Sequence, residues 1–484
     1  MPSESERRAR PLIVPRFFNT LTRELQEFPV GKYNAENPAK IYTCGPTVYN
    51  YQHIGNFLAY VYWDVLVRLF AVLEVPTKRV MNITDVGHLA SDADEGEDKM
   101  EKGAKSSGKT VWEVADFFAD DFLEHFTKLN LLQPAKTARA TDYIEDDMAL
   151  VDRLTEKGYT YETSDGIYFD TTKFPRYADF ARLDLAGLKA GKRVDFNREK
   201  RNVSDFALWK FVREGESHAM QWQYLGRAGY PGWHIECASI ILAELGESID
   251  IHTGGVDHIP VHHTNEIAEV ESLTGKLLSK FWLHNNHAMI DGEKISKSLG
   301  NVILFSDLQA RGFNYMDFKM WAYEGHYQKG RNFTWEGLEA AKKRLNNWRR
   351  AADLRHEFDY EVTAGEEIIL DVITATVANN LSTGVALALV DDFISYERQE
   401  GNTWMSVKIG SPSEHFWAKI DELFGLNILE STPPLTPIQR DLLASRTAAR
   451  EAKDFVVSDQ LRDQLKEQGI GILDGADGQT WYHL

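Results

Sequence analysis

The sequence predicts an α/β protein with a parallel sheet, an inserted unit, a helical second half and a small C-terminal α+β piece. Three observations predict it. An apolar strand, KIYTC (40–44), runs through a Gly/Pro turn into a long helix pattern from about Gly55 and then a second strand, TKRVMNITDV. Strand–loop–helix–strand is the unit of a parallel sheet. Sheet-like signals resume at 248–252 (SIDIH) and 281–284 (FWLH). Beyond about 315, WEGLEAAKKRLNNWRRAADL and EIILDVITATVANNLSTGVALALVDDFI place apolar residues three and four apart, the helical period.

The remaining elements follow in chain order. The N-terminus carries charges but no long apolar core, so it reads as a loosely docked tail and not a secretory signal. Segment 90–110 is charged and apolar-poor, a solvated loop. TVWEVADFFADDFLEHFTKL follows as an amphipathic helix. Residues 158–172 read as a β-hairpin around a Ser-Asp-Gly turn. Residues 182–213 form a basic, loop-rich stretch (Arg182, Lys189, Lys192, Arg193, Arg198, Lys200, Arg201, Lys210, Arg213) that looks like an insertion in the sheet. A Pro-rich linker, STPPLTP (431–437), separates a last piece, expected as one helix over 441–469 and a short β-like end.

Composition narrows the function classes. A chain of 484 residues holds roughly three or four domains. It contains no run of 18 apolar residues, so no membrane span is expected. A net charge of −19 argues against indiscriminate nucleic-acid binding, though local basic patches can serve a specific RNA. Only two cysteines, Cys44 and Cys237, point to a reducing compartment and no disulfide scaffold. Inert core thiols are one account of them.

Two short motifs carry chemistry. His53-Ile54-Gly55-Asn56 stands at the start of a helix, where free backbone N–H groups and the positive dipole end suit phosphate. Gly55 permits close approach, and His53 can donate as charge develops. Lys294-Ile295-Ser296-Lys297-Ser298 puts two lysines on a Ser/Gly-flanked loop suited to clamping a pyrophosphate. A helix cap and an exposed basic loop are the bland alternatives. Cys44, Cys237 and His262-His263-Thr264-Asn265-Glu266 are residues of metal-ligand type, but their spacing fits no zinc-finger pattern. His262 and Glu266 share a face if helical.

HIGN resembles the HIGH signature of class I aminoacyl-tRNA synthetases, and KISKS their KMSKS signature. CGPTVYNYQHIGN, MNITDVGHL, NVSDFALWK, GWHIEC, HHTNEIA, EKISKSLGN and REAKDFVVSDQLRDQLKEQGIGILD are similar to cysteinyl-tRNA synthetases, over about 38 to 484. The resemblance implies a Rossmann-type catalytic domain, its first half at 38–134 after an N-terminal extension (1–37) and its second half at 229–290. Between them lies an inserted domain, 135–228. The KISKS loop and stem-contact region (291–345), a helical bundle (346–430) and a C-terminal anticodon-binding domain (438–484) complete it.

The resemblance further implies ATP-dependent activation of L-cysteine to cysteinyl-adenylate and transfer to tRNA(Cys), by a cytoplasmic monomer without membrane attachment. It implies one zinc ion per chain on Cys44, Cys237, His262 and Glu266, with His263 the competitor for the histidine position. Zinc would take the substrate thiolate and reject serine, which a hydrophobic pocket separates poorly. Thr84, Trp233 and His252 would meet the amino acid, and His234, His252 and His263 would orient the metal ligands. His53, Gly55, Asn56, Asp257, Lys294 and Lys297 would bind Mg-ATP, with His53, Asn56, Lys294 and Lys297 catalytic.

The chain departs from the pattern at Asn56, at Ile295 and in the run Val256–Val261, where His258 is an extra candidate beside the metal. Basic residues Arg331, Lys342, Lys343, Arg344, Arg349 and Arg350, with Arg446, Arg450 and Lys453, are either RNA contacts or solvated faces. Trp481 and Tyr482 either stack on a base or close a small core. Two rivals remain: a cysteine ligase of thiol biosynthesis with the same adenylation site, and a non-catalytic RNA-binding paralogue.

Overall fold

A computed structural model describes residues 13–87, 104, 108–183, 199–213, 215, 218–295, 300–357, 362–400, 412–475 and 478–484, without the side chains of 294 and 396–400. Most of the 90–110 loop, Lys189, Lys192, Arg193, Arg198, Lys297 and the side chain of Lys294 therefore lie outside the described residues.

Five parallel strands form the central sheet, in the order Ser279–Asn285, Ile249–Gly255, Ala39–Thr43, Thr77–Ile83, Lys136–Arg139. The chain starts in the middle, moves to one edge, leaves for an insertion and returns on the other side. The order therefore reverses between Ala39–Thr43 and Ile249–Gly255. A ligand crevice forms at the carboxyl ends of strands at such a point.

The helix Ile54–Val72 crosses between the first two strands. It is apolar nearly all round because it is buried on nearly all sides. By length and apolarity it could cross a membrane, but it is a core helix with charged residues paired inside the protein. Asp64 takes Arg68 Nε–H at 2.6 Å, the Lys319 ammonium at 3.0 Å and the Leu132 N–H at 2.7 Å. Lys319 also donates to the carbonyls of Leu129, Asn130 and Gly425. This buried junction ties the sheet helix to helices Tyr315–Tyr323 and Glu414–Phe424. One apolar core likewise runs from Phe17 through the sheet helix to Trp417 and Ile428.

The inserted unit is an antiparallel sheet in the order Thr160–Thr163, Gly166–Phe169, Phe206–Phe211, Arg227–Pro231, Trp222–Tyr224. The hairpin is present. The basic stretch expected to be loop-rich instead contributes the central strand Phe206–Phe211, almost wholly buried. A central strand packed on both faces loses the polar alternation that would mark it. Its Lys210 bonds Asp165 (2.8 Å) and the Tyr168 hydroxyl. Strand Lys136–Arg139 sits inside the range expected for the insertion, yet pairs in the parallel sheet.

The second half is helical: Tyr315–Tyr323, Trp335–Asp353, Ala364–Ala378, Thr383–Glu400 and Glu414–Phe424. The C-terminal helix is two, Pro437–Glu451 and Phe455–Glu467. Lys453 adopts a left-handed backbone (φ 59°), and the Asp454 carboxylate then caps the second helix. The hairpin Ile470–Gly475/Gly478–His483 docks on Trp335–Asp353. His483 bonds Asp353 at 2.8 Å, and Arg350 lies 4.1 Å over the Tyr482 ring.

Candidate active site

At the reversal of strand order the sheet opens a cleft of about 370 Å³. Cys44, at the end of the first strand, faces His262, Trp233 and Thr84 there. Gly55 and Asn56 approach from the sheet helix, Asp257 and His258 from the turn after Ile249–Gly255, and Ile295 from the KISKS loop.

The thiols of Cys44 and Cys237, a ring nitrogen of His262 and a carboxylate oxygen of Glu266 lie within 4.8 Å of one another, all four residues buried. His262 Nε2 is 3.0 Å from Glu266 Oε1, the i,i+4 pair read from the sequence. A second group, Cys44, His252, His263 and Glu266, meets the same limit and shares two members with the first. His252 Nε2 holds Glu266 Oε2 at 2.7 Å, His234 Nδ1 lies 2.8 Å from His262 Nδ1, and His263 bridges Cys44 (3.3 Å) to His284 (2.8 Å). His284 continues to the Thr20 hydroxyl at 2.7 Å. Gly254 is required beside them, because a Cβ there would lie 2.6 Å from His263 Cε1.

The electrostatics favour a cation. Burial raises the Cys44 thiol, while the neighbouring Cys44 thiol, with burial, pushes Cys237 well above the ordinary range. Burial opposes charge on Glu266, but His252 and His262 outweigh it and hold the carboxyl low. Burial also opposes protonation of His262, and Glu266 with Cys237 reverse that. Both Glu266 oxygens face imidazoles, Oε1 that of His262 at 3.0 Å and Oε2 that of His252 at 2.7 Å. Two adjacent thiols, an imidazole and a carboxylate oxygen, all buried and converging within 4.8 Å, fit a soft divalent metal. The first group borders the cleft through Cys44 and His262. His252 and His263 are fully enclosed.

The HIGN segment is a helix cap with a chemical consequence. His53 Nδ1 accepts the Asn56 N–H (3.2 Å), and Asn56 Oδ1 accepts the His53 N–H (3.1 Å). Asn56 thus completes a reciprocal capping box. With Nδ1 committed as acceptor, the neutral imidazole carries its proton on Nε2 as a donor. Gly55 lets Ile295 approach the helix start: a Cβ there would lie 2.6 Å from Ile295 Cδ1.

Thr84 and Trp233 both line the cleft, and Trp233 stacks on His262 at 4.6 Å. Asp257 lines it too. His252 does not; it stands behind Glu266. Sequence reasoning missed His284 and Tyr42. Trp282 and His284 are two apart on one strand, and the register sets them opposite His252 and Gly254, so alternation could have found His284. Tyr42 packs on His252 at 5.1 Å, its hydroxyl pKa driven well up by burial and then by Cys237.

Much of the basic run is spent inside the protein. Arg344 pairs with Glu324 and Asp391, Arg331 with Glu324, and Arg349 bonds Ser431. Trp481 is 5% exposed and stacks on His356, so it closes a core.

Comparison with known proteins gives the family and the fold. Residues 31–343 match the family of tRNA synthetases class I (C) catalytic domains, and 432–481 match the cysteinyl-tRNA ligase anticodon binding domain. A cysteine–tRNA ligase of Treponema denticola is 36% identical, covering 96% of this chain and 99% of the relative. Cysteine–tRNA ligase 1 of Burkholderia lata is 38% identical over 92% of each chain. Among solved structures, methionyl-tRNA synthetase of Mycobacterium tuberculosis bound by methionyl-adenylate has a TM-score of 0.56 at 13% identity. It covers 81% of this chain and 88% of that one, a likeness of fold.

Proposed function

This chain belongs to the cysteine–tRNA ligase family of class I aminoacyl-tRNA synthetases, and from that premise we propose that it activates L-cysteine with Mg-ATP and transfers the cysteinyl group to tRNA(Cys). One observation carries the reading: a buried Cys, Cys, His, Glu group opens into the same cleft as a capped helix start. We place the enzyme in the cytoplasm as a monomer holding one zinc ion.

Cys44, Cys237, His262 and Glu266 are the proposed ligands, since a metal that meets substrate needs an open position and this group borders the cleft. Zinc bound there would supply a soft Lewis acid for a thiolate, discriminating cysteine from serine. His252 locks the Glu266 carboxylate, His234 fixes the His262 ring, and Trp233 covers that ring from the cleft side. The cysteine carboxylate attacks the α-phosphate, forming the mixed anhydride and releasing pyrophosphate. His53 and Asn56 donate to the α-phosphate beside the helix N-terminus, and Lys294 and Lys297 neutralise the leaving pyrophosphate. Asp257 reaches the adenosine side, and Thr84 borders the amino acid. The terminal ribose of the tRNA then attacks the adenylate carbonyl.

Cysteine-dependent ATP–pyrophosphate exchange with serine as control, followed by charging of tRNA(Cys), tests this. Exchange and charging with cysteine alone is the expected result. Exchange without charging would favour the thiol-biosynthesis ligase, and no exchange by zinc-loaded protein the non-catalytic paralogue.

A further inference from the structure

His258 has no place in the metal network and stands in the cleft beside it. Its turn, Val256–His258, leaves the end of strand Ile249–Gly255 and precedes His262. The ring lies 5.3 Å from that of His262 and 5.2 Å from that of His263, and edge-on to Trp233. Among the described residues, neither four-donor group includes it.

His234, His252, His262, His263 and His284 each engage a partner through a ring nitrogen. His258 Nδ1 is buried with none. It presses on the strand end, since a Cβ on Gly254 would lie 3.0 Å from it. A proton on Nδ1 would be a buried donor without an acceptor, the costlier arrangement. The proton therefore sits on Nε2, across the ring from the edge buried on Gly254, and the ring lines the cleft. A neutral N–H donor recognises an anion. On an amino acid whose thiol is held at the His262 side, the carboxylate is three bonds from the sulfur, within reach of a ring 5.3 Å away.

Resting on the cysteine specificity proposed above, we propose that His258 is a substrate-binding residue whose Nε2–H donates to the carboxylate of the bound amino acid. Cobalt-substituted protein tests this, because its visible bands report thiolate binding. Cysteine is compared with cysteamine, which keeps the thiol and amine but lacks the carboxylate. Against His258→Leu, cysteine should bind roughly tenfold more weakly, the value of one hydrogen bond to a charged group, and cysteamine within about twofold of the wild-type protein. His258→Gln, which keeps a donor, should recover part of the loss. Metal content should be unchanged in both variants.

Equal weakening of both ligands, or no weakening of either, would overturn the carboxylate contact. Loss of metal would make His258 a ligand instead. If the leucine variant does not fold, the glutamine variant carries the comparison, with cysteine weakened less than tenfold and cysteamine unchanged. A wild-type protein whose cobalt bands ignore cysteine would refute the cysteine reading itself, and this proposal with it.

Discussion

Two overlapping donor groups share Cys44 and Glu266, and one pair of variants separates them: Cys237→Ala, unique to the first, and His263→Ala, unique to the second. Four-ligand structural zinc sites bind with about 10–16 kcal/mol, so one ligand is worth roughly 2.5–4 kcal/mol, or 10²- to 10³-fold in affinity. If the first group holds the metal, Cys237→Ala should lose about that much. His263 then acts only through Cys44, at 3.3 Å, and through His284. Removing such an orienting partner costs about 10- to 100-fold. Competition against a chromogenic zinc chelator at fixed pH measures both constants, with circular dichroism as a check on folding. A larger loss in His263→Ala than in Cys237→Ala would refute the assignment and move the metal to Cys44, His252, His263 and Glu266.

Three further outcomes follow from other parts of the molecule. Gly55→Ala brings a methyl to 2.6 Å from Ile295 Cδ1 and 3.0 Å from the His53 ring, so the KM for ATP in pyrophosphate exchange should rise severalfold with thermal stability little changed. Trp481→Ala empties the small core that Trp481 shares with Leu435, Leu465 and Ile470, costing about 3–5 kcal/mol. It should abolish tRNA charging while sparing pyrophosphate exchange, and equal loss of both would contradict it. Lys319 is lowered by burial from 10.5 to about 8, with Asp64, Arg68 and Asp421 around it. Between those values the unfolded chain keeps a proton that the folded protein has lost, so this term adds stability as pH rises from 8 toward 10.5, by up to about 3 kcal/mol. The urea midpoint of the wild-type protein minus that of Lys319→Met should rise between pH 8 and pH 10, which cancels the opposing loss from the raised thiols, and an unchanged difference would refute it.

The sequence by itself determined whatever is encoded within a few residues. The reciprocal cap of His53 and Asn56 spans three positions, and the His262–Glu266 pair spans four. The first strand and the helix after it declared themselves by period and turn. Features that depend on a distant partner were not legible. Nothing local shows that Phe206–Phe211 is a central strand, that Lys453 breaks the last helix, or that Arg344 is consumed by Glu324 and Asp391. His252, expected both at the substrate and behind the metal ligands, holds Glu266 and does not line the cleft. The meeting of Cys44 with Cys237 was carried by family resemblance and not by spacing. Tertiary structure alone decided it: helix Trp233–Glu244, which carries Cys237, leads into strand Ile249–Gly255, and that strand returns beside Ala39–Thr43 at the point where strand order reverses. A few residues of chain fix a hydrogen bond or a helical face, but only sheet order sets which strand ends stand side by side and so which side chains share one cleft.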